Sequence, residues 1–130
     1  MRDITLSVAH SIRQRASNKT YSTQVVISCL EDLTKAVQFD HVAGSFRNNE
    51  RSNDNFISAD CLLMDCDNDA ADAPEAWLTP EKLSERLNDV ELAIIYSKSH
   101  MQSKDKYSPR PRFHVYLPLS NKITEAGNVR

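Results

Sequence analysis

The chain has 130 residues, 16 Lys and Arg against 18 Asp and Glu, and a formal net charge of −2. With 40% hydrophobic and 26% charged residues it has the composition of an ordinary globular domain, and its length predicts one domain spanning residues 1–130 with no second domain. Two Gly, five Pro and three Cys without a CxxC pair exclude a collagen-like chain, a disulfide framework and a zinc finger; no apolar run reaches the roughly 18–20 residues of a membrane span.

The first residues, Met1-Arg2-Asp3-Ile4, lack the apolar core of a signal peptide, so the expected location is the cytoplasm, with no membrane partner. Ile4–Ala9 alternates apolar and polar residues and predicts a strand; 10–20 is polar and basic and reads as a loop or short irregular helix. Thr23–Val37 places Val26, Leu30, Leu33 and Val37 at helical steps, which predicts an amphipathic helix capped by Ser22 or Thr23. His41–Phe46 reads as a strand and Arg47–Asn55 as a polar connection. Ala59–Asp65 reads as a buried strand, followed by an acidic loop over 69–78. Thr79-Pro80-Glu81 is a helix start, with Thr as N-cap and Pro in the first turn, and the helix is expected to reach about Leu87. Glu91–Ser97 is an apolar strand, 98–111 a basic loop, and Arg112–Leu117 a strand closed by Pro118. The sum is an α+β domain, a mixed or antiparallel sheet with helices on one face.

Charge is segregated along the chain. Asp65, Asp67, Asp69, Asp72 and Glu75 fall within 65–75 with no basic residue, whereas Lys98, Lys104, Lys106, Arg110 and Arg112 fall within 98–112 beside only Asp105. Carboxylates that hold cations, next to Lys and Arg that hold phosphates, suit metal-assisted phosphate chemistry. Two loops of opposite sign that simply attract each other account for the same pattern.

The main chemical signal is Leu62-Leu63-Met64-Asp65-Cys66-Asp67. Strand side chains alternate, so Asp65 and Asp67 share one face at about 6–7 Å, near enough to grip divalent cations, and Met64 and Cys66 turn toward the core. A calcium-binding EF-hand loop fails: counted from Asp65, its glycine and bidentate glutamate positions are Ala70 and Ala76. A sugar-nucleotide glycosyltransferase and a polymerase or primase both remain. In Arg112–Leu117, Phe113, Val115 and Leu117 form a core face, and Arg112, His114 and Tyr116 the opposite one. If that face adjoins Asp65 and Asp67, His114 and Arg112 are placed to bind nucleotide phosphates.

Taken together these motifs resemble the archaeo-eukaryotic primase superfamily, in particular the primase-polymerase-like proteins of phages and integrated elements. Leu62–Asp67 matches its first motif, hydrophobic residues before DxD. Trp77-Leu78-Thr79-Pro80-Glu81 after the acidic loop matches the phage branch, as does the segment Phe46–Phe56, whose Arg47 and Arg51 are candidate phosphate contacts. The second motif, a small residue, any residue, then His, is placed on Arg112-Phe113-His114; Ser97-Lys98-Ser99-His100 fits it loosely and makes Ser99 and His100 competing nucleotide-binding candidates. The resemblance covers about residues 41–119.

It implies a primase-polymerase (RRM-like) core and two-metal nucleotidyl transfer to a 3′-hydroxyl in DNA replication. Asp65 and Asp67 would be the catalytic ligands of Mg²⁺ or Mn²⁺. The partners would be nucleoside triphosphates and a DNA template and primer, with Lys98, Lys104, Lys106 and Arg110 on template phosphates. A helicase domain or subunit is a further expected companion. The third motif, a hydrophobic residue followed by Asp on a later strand, is not found after Leu119; Glu125 is a poor substitute. The expectation is therefore an N-terminal, incomplete core that is inactive alone if it lacks that ligand. The alternatives are a non-catalytic primase-like nucleic-acid-binding module and a DxD glycosyltransferase.

Overall fold

A computed structural model describes residues 2–12 and 19–124. The chain forms two compact units, Met1–Leu62 with Pro118–Arg130, and Leu63–Leu117. The class is α+β, with antiparallel strand pairs and few helices. Among the described residues the strands form two sheets instead of one.

In the first unit, β1 (Ile4–Val8) is central to a three-stranded sheet, order β2-β1-β3, with β2 (Thr23–Ile27) and β3 (His41–Ala43) antiparallel on either side. Ile4, Leu6 and Ile27 from these strands are fully buried, as is Leu33 of the helix α1 (Leu30–Ala36). This corrects the helix expected over Thr23–Val37. Its first part is β2, whose Thr23, Val25, Val26 and Ile27 are β-branched and pair along the edge of β1. Val26 and Leu30, expected in the buried stripe of one helix, are both exposed. The helix begins only after Ser28-Cys29 and has seven residues.

The expected strand over His41–Phe46 is broken at Gly44, whose φ of 109° lies where a side chain is strained and which separates β3 from β4 (Ser45–Phe46). A second sheet has the order β4-β5-β7-β6, with β5 (Phe56–Cys66), β6 (Ala93–Tyr96) and β7 (Phe113–Ile123). Asp60 of β5 accepts from the Thr5 N–H and Thr5 Oγ1–H, each at 2.8 Å, which ties β5 to β1.

The second unit has its own core. Leu83 of α2 (Pro80–Arg86) packs with Phe113 and Val115 of β7, joined by Cys66, Leu78, Leu87, Leu92, Ile94 and Leu117. Helix α2 starts as its sequence predicts: Thr79 is the N-cap, its side chain accepts from the Lys82 N–H at 3.2 Å, and Pro80 opens the first turn. Strand β7 does not end at Pro118 but continues to Ile123. Its pairing with β6 runs only from Phe113 to Tyr116, so a residue without an N–H is tolerated farther on, where β6 no longer lies opposite.

Candidate active site

Strand alternation sets the site. Cys66 turns into the cluster around Leu83, so Asp65, its neighbour in β5, points to the other side. On β7, Phe113 and Val115 enter the same cluster and His114 between them faces away from it. Because β5 and β7 are neighbours in the sheet, the two outward residues meet: His114 Nε2 lies 3.4 Å from Asp65 Oδ1. Asp65 is 53% exposed. Asp67 is exposed one residue past the end of β5, and its Oδ1 accepts from the Asp69 N–H at 3.0 Å.

The turn after Asp67 is built on Asn68, which sequence reasoning missed. Its φ of 60° is the left-handed conformation that Asn adopts more readily than most residues. Its amide nitrogen donates to the Leu78 and Pro111 carbonyls at 2.9 and 2.8 Å, and its Oδ1 accepts from the Leu78 N–H at 2.8 Å. An Asn directly after a strand-ending DxD was the available signal.

Arg110 completes this clamp, which corrects its expected place among DNA-facing residues. It is 1% exposed. Nη1 donates to the Asn68 and Ala71 carbonyls, both at 2.8 Å; Nη2 to Asp72 Oδ1 at 3.3 Å and Ser108 Oγ at 3.2 Å; Nε to the Ser108 carbonyl at 3.1 Å. Its guanidinium also lies over Tyr107 and Trp77, 5.1 and 5.4 Å from the ring centroids. Trp77 Nε1 donates to the Ala71 carbonyl at 2.9 Å. With every guanidinium N–H engaged inside the protein, Arg110 has none for a phosphate.

The expected face of Arg112, His114 and Tyr116, opposite the core residues Phe113, Val115 and Leu117, is also corrected. Tyr116 of β7 is fully buried, and Arg112, just before β7, is 2% exposed, so only His114 of the three reaches solvent. Arg112 Nη2 stands 2.8 Å from Asp69 Oδ1. The segregated charges thus meet within the unit, through Arg110 with Asp72 and Arg112 with Asp69. Met64, expected in the core, is exposed, since the cluster around Leu83 reaches Cys66 and not Met64.

The competing motif is placed nearby. His100 Nδ1 accepts from the Arg112 N–H at 3.1 Å, and its ring stacks on Tyr96 with centroids 4.1 Å apart. Ser99 Oγ lies 3.1 Å from Ser97 Oγ. Lys98, Lys104 and Lys106 are exposed. Arg47 and Arg51 are exposed in the first unit, Arg51 over the Tyr21 ring at 6.0 Å. Glu125 and residues 13–18 of the expected first loop lie outside the described residues.

Among the described residues no group of three or more His, Cys, Asp or Glu is arranged to hold a metal ion. Asp65 and Asp67, both exposed at the end of β5, are the carboxylates that would hold Mg²⁺ or Mn²⁺ if one were bound, ions that commonly take one or two carboxylates and leave their other positions to water and substrate phosphates. Cys66 is no competitor: burial, then the Asp65 and Asp67 carboxylates, push its thiol pKa up and keep it protonated. No protein-family model, curated protein or solved structure matches the chain.

Proposed function

We propose that the chain is a primase-polymerase-like nucleotidyltransferase core, which joins a nucleoside triphosphate to a DNA 3′-hydroxyl. The observation that carries this reading is the meeting of Asp65 and His114 on neighbouring strands, at the positions of the first and second motifs. Asp65 and Asp67 are the two carboxylates that would hold Mg²⁺ or Mn²⁺. The ions, when bound, supply charge neutralisation on the triphosphate and acidify the attacking hydroxyl. In the transfer the 3′-oxygen bonds to the α-phosphorus and pyrophosphate leaves.

The chain's own residues position the reactants. His114 Nε2 sits beside Asp65 and is the near donor for a phosphate oxygen. Asn68 and Arg110 hold the turn that carries Asp67. Lys98, Lys104 and Lys106 supply salt-dependent attraction for a template strand.

Titration of the purified chain with Mn²⁺ and a labelled deoxynucleoside triphosphate tests this, beside the double variant Asp65→Asn/Asp67→Asn. Metal-dependent binding lost in the variant is expected. Binding that survives both substitutions overturns the reading.

A further inference from the structure

Two arginines, two residues apart, are buried to the same degree and treated in opposite ways. Every guanidinium N–H of Arg110 has an acceptor. Nε, Nη1 and Nη2 of Arg112 have no aligned hydrogen-bond partner among the described residues. The Asp69 carboxylate stands 2.8 Å away, at ion-pair distance, but out of line with the N–H directions, and its Oδ1 is likewise without a hydrogen bond. A buried charge with idle donors costs stability, so such a group calls for a role.

We infer that Arg112 is a reserved oxyanion seat and that Asp69 is its placeholder, displaced when a phosphoryl oxygen of the nucleotide binds. This rests on the nucleotidyltransferase reading and adds to it how the seat stays closed in the absence of ligand. Arg112 is fixed by its backbone, whose N–H donates to His100 Nδ1 at 3.1 Å and whose carbonyl accepts from the Ser97 N–H at 3.0 Å. The chain on either side of Asp69 is fixed too, by the Asn68 amide and by Arg110 on the Ala71 carbonyl. Asp69 itself is 29% exposed, at the solvent side of the pair. Rotation of that one short side chain removes the carboxylate at the Arg112 guanidinium and leaves the Tyr107 ring, whose centroid is 5.9 Å from the Arg112 Cζ, in place. The planar fork it uncovers matches two oxygens of a phosphoryl group. A carboxylate in the seat repels an anion that has not yet displaced it, so removing that charge tightens anion binding.

The test uses inorganic pyrophosphate in metal-free buffer, with binding followed by calorimetry and stability by thermal unfolding. Asp69→Asn is expected to bind pyrophosphate at least about tenfold more tightly than the wild type. Its melting temperature is expected to rise with pyrophosphate more than that of the wild type. The double variant Asp69→Asn/Arg112→Gln is expected to lose both effects. Equal affinity in Asp69→Asn and wild type, a double variant that binds like Asp69→Asn, or an Asp69→Asn chain that stays unfolded at every pyrophosphate concentration overturns the inference. The nucleotidyltransferase reading fails separately, through Mn²⁺-dependent nucleotide binding that ignores Asp65 and Asp67.

Discussion

His114 Nε2 on β7 and Asp65 Oδ1 on β5 approach to 3.4 Å on the side of the sheet facing away from the Leu83 cluster. The pair joins a nitrogen that can face a phosphate to an oxygen that can face a cation, and neither group is buried. His114→Ala is therefore expected to leave the fold intact and to spare the Mn²⁺ binding proposed for Asp65 and Asp67. Nucleotide affinity at saturating Mn²⁺ should fall by about tenfold, the weight of one charge-assisted hydrogen bond. Fluorescence titration of a labelled nucleotide checks this; unchanged affinity would remove His114 from the phosphate site.

The clamp behind Asp67 is a stability element. Arg110→Ala leaves the Asn68 carbonyl without its donor, takes one of two donors from the Ala71 carbonyl, which keeps Trp77 Nε1, and removes a buried charge that faces the exposed Asp72. The expected cost is about 1–3 kcal/mol in urea unfolding, from the carbonyl left without a donor, because the Asp72 carboxylate that remains is exposed to solvent. Asn68→Ala loses three hydrogen bonds and forces a Cβ residue to hold φ of 60°. Asn68→Gly loses the same bonds without the backbone strain, so it should be the milder change by about 1 kcal/mol.

These two residues mark where the sequence stops being legible. The end of β5, the Thr79-capped helix and the turning of His114 away from Phe113 and Val115 follow from local rules, namely period-two alternation and a capping triplet, whereas the meeting of His114 with Asp65 depends on β5 and β7 being neighbours. The Thr23–Val37 helix fails, because Val26, Leu30, Leu33 and Val37 fit a helical period by coincidence while the β-branched run has a strand edge at β1 to pair with. Pairing partners are not written in a local window. The same holds for Arg110 and Arg112. Composition places them in a basic segment, but their burial depends on the acidic turn coming to lie beside them, Asp72 at Arg110 and Asp69 at Arg112. Asp60 carries no local signal for the same reason: its partner, Thr5, is 55 residues away.

Cys61 gives the protein a definite alkaline limb. Burial, then the neighbouring Asp60 carboxylate, push its thiol pKa from an ordinary value of 9.0 up to about 12. The unfolded chain loses this proton near its ordinary value, while the folded chain keeps it to the raised value. Between those limits the folded state binds more protons, so stability falls as pH rises through that window. Melting temperatures measured above pH 9 should drop more steeply for the wild type than for Cys61→Ala. Parallel curves would mean that the thiol titrates normally in the fold.

The basic segment separates into residues that hold the protein and residues left for a polyanion. Lys98, Lys104 and Lys106 are exposed, and the last two project from the turn closed by the Lys104–Tyr107 bridge, with Lys106 Nζ 5.5 Å from the Tyr107 ring centroid. Arg110, only four residues past Lys106, is engaged in the clamp and has no donor left for a phosphate. Changing the three lysines to alanine should leave the melting temperature near that of the wild type, because none of them is buried. The slope of log affinity for single-stranded DNA against log salt should shrink by about 2, at about 0.7 for each phosphate that a lysine no longer neutralises. Arg110→Ala should behave in the opposite way, lowering the melting temperature while leaving that slope unchanged in the fraction that stays folded. Fluorescence anisotropy at several salt concentrations measures both. A slope that ignores the lysines would remove them from the proposed template contact.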